Sequence, residues 1–300
     1  MDLSVIVPTL NSRDQLAGCL DALAERAPDA EVIVVNGPSA DGTTGMVQEH
    51  DGVDVLVEIA DRTINVARNA GLDRASGDVV AFLDHARRVG EGWLSAVREG
   101  LAGADAVTGP THRQLRAGVA TETEESRTIA GRSVTYFNGG NVAIARSALE
   151  DADGFDEYLR IGGARDLAHR LAGMDYTVDW NADMYVYSEF EPDGGETETD
   201  RRWKYRSLAY RLVKNYGPRP TIVRRLTGHA GRDAASTLRQ VVGGDVRPSA
   251  WFGDGRDVVA GIGVGWTDGL RARLTDRSAR RNPNGRSARA DRAVAVYDRR

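Results

Sequence analysis

The 300-residue chain has one cysteine, and only 6% of it is aromatic. Lysine appears twice, at Lys204 and Lys214, against 37 arginines. A lone thiol, Cys19, excludes an intrachain disulfide and a cysteine cluster for zinc. Its neighbours Leu16, Leu20 and Leu23 place it on the packed side of a helix. No glycine- and lysine-rich phosphate loop stands near the amino terminus, which counts against a nucleotidyltransferase. No apolar run reaches the ~20 residues that a membrane-spanning helix needs; Val258–Thr267 is uncharged but short and glycine-rich. The first residues enter a strand pattern directly, so no signal peptide is expected. The expected location is cytoplasmic, peripheral on the inner face of the cell membrane. No internal repeat is visible.

A hydrophobic content of 41% with 28% charged residues describes an ordinary soluble globular chain. Aspartate outnumbers glutamate 29 to 15, and with the arginine bias this fits either a high-salt organism or a GC-rich genome. Residues 1–200 hold 16 basic and 36 acidic residues, net −20; residues 201–300 hold 23 and 8, net +15. Either the second half meets something anionic, or it neutralises the acidic body. Nucleic acid is not expected as a partner, because the basic region interleaves few aromatics beyond Trp203, Tyr205 and Tyr210.

The periodicity predicts buried strands at 3–7, 31–35, 53–59 and 79–83, with helices at about 14–26, 43–50 and 64–75 between them. This βαβαβαβ alternation is expected to fold as a doubly wound α/β sheet with right-handed crossovers. A helix over 93–101, a strand at 106–109, a helix over 166–172 and short strands at 177–180 and 184–187 follow. Residues 112–135 are polar, show no clear period and are expected to form a mobile loop. The expected domains are 1–200, a basic amphipathic helical region 201–276, and a disordered Arg/Ser/Asn-rich tail 277–300.

Several polar phrases sit where apolar strands end, the edge at which open α/β sheets bind ligands. They are Pro8-Thr9-Leu10-Asn11, Asn36-Gly37-Pro38-Ser39-Ala40-Asp41-Gly42 and Asp84-His85-Ala86. Together with Asn65–Gly71, Phe137–Leu149 and Gly154-Phe155-Asp156-Glu157, in this order and spacing, residues 3–190 resemble family 2 glycosyltransferases. That resemblance implies a GT-A fold, a Rossmann-like, mostly parallel sheet with flanking helices. It also implies inverting transfer of a sugar from a nucleotide diphosphate donor, UDP- or GDP-linked. The arginine bias and acidic body fit a haloarchaeal member acting in lipid-linked glycan assembly.

The resemblance implies donor contacts from Pro8, Thr9, Asn11, Asn36, Ser39, Asp41, Arg68 and Asp84. Asn36 replaces the usual base-contacting carboxylate; its amide can still pair with a base edge but supplies no charge. Asp84 opens a metal motif that normally ends in a second carboxylate, here Ala86. Asp84 and His85 are then the expected ligands of Mn²⁺ or Mg²⁺, with Arg87 and Arg88 sharing phosphate charge. The family's proton-accepting aspartate aligns with Ala164, and its preceding glutamate with Gly163. Asp166 is therefore the expected base, with Glu189 or Glu191 as alternatives. Arg201-Arg202-Trp203-Lys204 has a weak likeness to an Arg-Trp element over the donor diphosphate. Arg202 would then bind donor; alternatively residues 201–225 begin a membrane-surface helix, with Trp203 and Tyr205 at headgroup level. The implied acceptor is a lipid-linked sugar or polysaccharide precursor. The losses at 86 and 164 equally fit a catalytically silent homologue that binds a nucleotide sugar or a partner enzyme.

Overall fold

The computed structural model describes residues 1–115, 118–188, 200–242 and 248–300. The chain divides into two compact units. The first comprises Met1–Arg127, Ser133–Asp193 and Asn284–Arg300; the second comprises Thr128–Arg132 and Gly194–Pro283.

The first unit opens with β1 (Leu3–Thr9), α1 (Arg13–Arg26), β2 (Glu31–Asn36), α2 (Thr43–Glu49), β3 (Val55–Ile59), α3 (Ile64–Leu72) and β4 (Val79–Leu83). These are the elements that the βα alternation predicts. β1 pairs in parallel with both β2 and β4, and β3 extends the parallel block beyond β2. Every residue of β1 and β4 is buried, as strands covered on both faces require. Each such aliphatic side chain contributes roughly 1.5–3 kcal/mol of burial. Gly71 lets α3 lie close on the sheet: a Cβ there would stand 2.5 Å from Ile6 Cγ2.

The chain continues through β5 (Arg87–Val89), α4 (Trp93–Leu101), β6 (Ala106–Thr108), β7 (Thr111–Leu115), β8 (Gly118–Thr121), β9 (Glu125–Ile129), β10 (Arg132–Tyr136), β11 (Asn141–Ala145), α5 (Arg146–Asp151), α6 (Gly163–Gly173), β12 (Val178–Trp180) and β13 (Val186–Ser188). Residues 112–135, expected to form a mobile loop, instead supply four short strands. β7 and β8 join β5 and β13 in a second sheet, and β9 pairs with β10. Their polar, mostly exposed side chains hide the alternation that marks a half-buried strand. β11 runs antiparallel between β4 and β6, so the main sheet is mixed.

The tail corrects the expectation of disorder over 277–300. After a 3-10 turn at Arg286–Ala288, β14 (Ala293–Asp298) pairs antiparallel with β3 and closes an eight-stranded sheet of order β12-β6-β11-β4-β1-β2-β3-β14. Ion pairs fasten it. Arg286 meets Asp73 at 2.8 Å, Arg289 meets Asp61 at 2.8 Å and Glu157 at 3.0 Å, and Arg292 meets Glu157 at 2.5 Å. Part of the basic excess thus neutralises the acidic body.

The second unit contains α7 (Arg201–Tyr216), α8 (Pro220–Val242) and α9 (Pro248–Thr275). Asp200 caps α7, its carboxylate accepting from the Trp203 amide at 2.9 Å. Gly261, Gly265 and Gly269 recur every four residues, and a Cβ on any of them would collide with the α7 backbone at Arg202, Arg206 or Tyr210. The glycine-rich stretch is therefore a helix-packing face. Lys204 and Arg206 form ion pairs with Asp233 and Asp268. Among the described residues no helix is long and apolar enough to cross a membrane.

Candidate functional site

At the carboxyl edge of β1, β3 and β4 the first unit has a cleft of about 110 Å³. Its lining includes Pro8, Thr9, Gly37, Asp61, Thr63, Arg68, Asp84, His85 and Gly139. Parallel strands deliver these residues: β1 ends on Thr9, and β4 stops one residue before Asp84. Arg68 comes from the first turns of α3, which faces them.

Arg68 is 7% exposed. Its Nη2 donates to the Gly139 carbonyl at 2.7 Å, its Nη1 donates to Asn65 Oδ1 at 3.2 Å, and its Cζ lies 4.9 Å from the Phe155 ring centroid. Burial lowers its pKa to about 10, against the attraction of Asp84, which leaves it cationic at neutral pH. Thr9 Oγ1 and Arg68 Nε find no hydrogen-bond partner among the described residues. Buried polar groups are normally satisfied, so a hydroxyl and a guanidinium N–H stay available to a polar ligand in this cleft.

Asp84 Oδ1 accepts from the Ala86 amide at 3.0 Å and stands 3.9 Å from His85 Nδ1. His85 Nδ1 lies 3.2 Å from the Pro8 carbonyl. A carbonyl only accepts, so Nδ1 carries the proton in the neutral ring and Nε2 keeps the lone pair, the form that ligates metals. No group of three or more His, Cys, Asp or Glu among the described residues could hold a metal ion. Asp84 with His85 suits a cation that takes its remaining ligands from phosphate and water, the habit of Mg²⁺; the imidazole favours Mn²⁺.

The other expected donor residues lie elsewhere. Asn36 is 1% exposed: its Nδ2 donates to Thr44 Oγ1 at 2.9 Å, and its Oδ1 accepts from Ser39 Oγ at 2.6 Å. Its amide is therefore spent inside the fold and does not line the cleft. Asn11, in the left-handed region at φ 51°, accepts from the Ala40 amide at 2.8 Å, and its own amide donates to Ser39 Oγ at 2.9 Å. Asp41 accepts from Thr43 Oγ1 at 2.6 Å and the Arg13 amide at 3.0 Å. These bonds, led by Thr43, depress its pKa. Asn11, Ser39 and Asp41 tie the loops after β1 and β2 together, leaving Pro8, Thr9, Arg68, Asp84 and His85 as the expected residues that line the cleft.

Asp166 does not reach solvent. It and Arg170 are both fully buried, 2.8 Å apart, and Arg170 Nη2 donates onward to the Gly154 carbonyl at 2.8 Å. An acceptor hydroxyl cannot approach this carboxylate, which corrects the assignment of Asp166 as base. Glu189 and Glu191 lie outside the described residues. Arg202 belongs to α7 of the second unit. Tyr205 is buried, its phenol donating to Asp233 at 2.9 Å, and Trp203 stacks with Arg206 at 4.7 Å. Tyr205 is therefore packed inside its unit.

Sequence reading missed Asp61, Arg62 and Thr63 on the cleft wall. The signal was present: they follow the carboxyl end of β3, as Asp84 follows β4. It also missed that Asn65 and Asn69 hold the Gly154–Glu157 loop. Asn69 accepts from the Phe155 amide at 2.8 Å and donates to its carbonyl at 2.9 Å, while Asn65 donates to the Leu159 carbonyl at 2.7 Å.

Residues 4–140 match the family model for glycosyl transferase family 2. Over this segment the chain is similar to family 2 glycosyl transferases. Glycosyltransferase AglE of Haloferax volcanii is 27% identical over 209 residues, 64% of this chain and 68% of that protein. Several bacterial relatives match over only 86–92 residues, 12–34% of their length. Among solved structures, the mannosyltransferase PcManGT from Pyrobaculum calidifontis, in complex with GDP-Man and Mn²⁺, aligns with TM-score 0.58 at 19% identity. That alignment covers 88% of this chain and 87% of that one. S. aureus TarS 1–349 with UDP-GlcNAc aligns at 0.62 and 18%, covering 87% and 82%. At these identities the two structures establish the shared fold. The residues that line the cleft described above all fall within 4–140.

Proposed function

We propose that the chain is an inverting glycosyltransferase whose donor, a UDP- or GDP-linked sugar, binds in the cleft of Thr9, Arg68, Asp84 and His85. The observation that carries this reading is the convergence of these four residues at one sheet edge of the segment that matches family 2, with Thr9 Oγ1 and Arg68 Nε unpartnered. Arg68 supplies a fixed cation against the diphosphate. Thr9 meets the nucleoside, with Pro8 and Gly37 forming the floor beside it. Asp84 and His85 Nε2 would hold Mn²⁺ or Mg²⁺, which neutralises charge on the departing diphosphate. A related fold with GDP-Man and Mn²⁺ supports this choice.

The proposed acceptor is a lipid-linked sugar or polysaccharide precursor at the cytoplasmic membrane face. The net charge of +9 over residues 201–276, from 15 basic and 6 acidic residues, supports it, since each surface cation near anionic lipid adds about 1 kcal/mol. A thermal-shift screen with UDP, GDP and their sugars, with and without Mn²⁺, tests the donor site. Stabilisation by one nucleotide series is the expected result, and no shift with any nucleotide contradicts it.

A second reading, a silent homologue that binds a nucleotide sugar without transferring it, is favoured by the buried Asp166 and by Ala164 at the family's base position. Donor turnover separates the two.

A further inference from the structure

The loop Asn138–Gly140 lies between two hollows of the first unit. On one side is the donor cleft, where Arg68 bonds the Gly139 carbonyl. On the other is a cavity of about 400 Å³, whose lining includes Glu122, Asn138, Ala164, Arg165 and Trp180. Gly139 lines both. A Cβ on Gly139 would stand 2.6 Å from Arg68 Nη2 and 2.9 Å from Ala164 Cβ. The donor arginine and Ala164, which occupies the usual base position, therefore face each other across one glycine. Gly163 cannot regain a side chain without striking Asn65. The cavity is open at the place where a proton acceptor is needed.

Two carboxylates line this cavity. Glu125 is clamped by the Arg165 fork, at 2.6 and 3.3 Å to its two oxygens, which makes it a poor proton acceptor. Glu122 is held differently. Both its oxygens lie 3.2 Å from Asn138 Nδ2, Arg113 stands at 3.5 Å, and its side chain is 31% exposed. The Asn138 amide orients this carboxylate, one residue from Gly139, and its Arg113 contact is longer and made by a more exposed arginine than the Arg165 fork on Glu125. Trp180 offers an aromatic wall beside these polar groups, the makeup of a site for a hydroxylated ring.

We propose that Glu122 is the general base of the transfer reaction, serving a saccharide acceptor seated against Trp180, with Asn138 as its positioning residue. This rests on the donor reading above. The acceptor oxygen bonds to the anomeric carbon of the donor as the bond from that carbon to the diphosphate oxygen breaks. The bonding pair leaves with the nucleoside diphosphate, and the hydroxyl proton passes to the Glu122 carboxylate and on to solvent.

The test uses the full chain with GDP-mannose and UDP-N-acetylglucosamine, octyl glucoside and octyl mannoside as acceptors, and release of GDP or UDP as the readout. Glu122→Gln is expected to lower kcat by about 10²–10⁴-fold with donor KM and thermal midpoint unchanged, and to remove the acid limb of the pH profile. Glu99→Gln, exposed on α4 and outside both hollows, stays within a few-fold of wild type. Ala164→Asp, added to Glu122→Gln, restores activity at least tenfold by returning a carboxylate to the shared wall. Turnover by Glu122→Gln within fivefold of wild type, or a loss confined to donor KM, overturns the base role and leaves the donor reading standing. A wild-type chain that binds nucleotide but turns over none of these probes overturns it in favour of a silent homologue. Absence of nucleotide binding removes both readings.

Discussion

At the scale of single residues, what decides a role here is whether a polar atom has already been used by the fold. The placing of Thr9 and Asp84 on the cleft was legible in the sequence because each stands where an apolar strand ends, at the carboxyl edge of the sheet. Asn36, Asn11, Ser39 and Asp41 sit at equivalent strand ends, but their atoms are consumed by one another's loops. No pattern in the one-dimensional sequence distinguishes the two groups. Asp166 was misread for the same reason: its spacing from Arg170 marks a helical pair, and only burial shows that the pair is sealed. Asp166→Asn is therefore expected to destabilise the protein by about 3 kcal/mol, because it leaves the Arg170 charge uncompensated; an unchanged unfolding midpoint contradicts this. Asp41 has a depressed pKa in the folded state. Its stabilisation is present above its unfolded pKa and is lost as pH falls through the lower folded value. Asp41→Asn should thus unfold at a lower denaturant midpoint than wild type at pH 7, and the two midpoints should converge once pH has fallen below the depressed folded value.

At the scale of elements, β1 to β4 and their helices were readable because buried parallel strands are continuous apolar runs. The carboxyl-terminal strap was not. Its partners lie more than 120 residues away in sequence, and its Arg/Ser/Asn composition looks like that of a disordered tail. Arg292, with its side chain 1% exposed, joins Asp73 and Glu157, and Glu157 in turn takes a bond from Asn69 on α3 at 2.7 Å. Arg292→Ala is expected to cost about 3 kcal/mol and to raise amide hydrogen exchange along β14 and its partner β3. Unaltered exchange in β3 contradicts the strap. In the second unit, Gly265→Val would drive a branched side chain into the Arg206 carbonyl. Loss of cooperative unfolding in that unit, followed by proteolysis within 201–275, is the expected outcome; a variant as protease-resistant as wild type contradicts the packing role of Gly265.

At the scale of the whole molecule, the charge asymmetry has one use in the fold and one that is proposed. Arg286, Arg289, Arg292 and Arg300 pair with acidic residues of the first unit, so the tail stabilises the sheet's edge. The proposed binding of anionic lipid by residues 201–275 is read directly by liposome flotation with phosphatidylglycerol vesicles. Salt-sensitive binding is expected, and no binding at low salt contradicts it. The donor cleft remains the centre of the account, because acceptor, base and membrane proposals all presuppose it. The most direct measurement is calorimetric titration of wild type and Asp84→Asn with the nucleotide diphosphate selected by thermal shift, with and without Mn²⁺. The account predicts that Mn²⁺ tightens wild-type binding at least tenfold, about 1.4 kcal/mol, and that Asp84→Asn loses most of this gain. Equal affinities in all four titrations would contradict it.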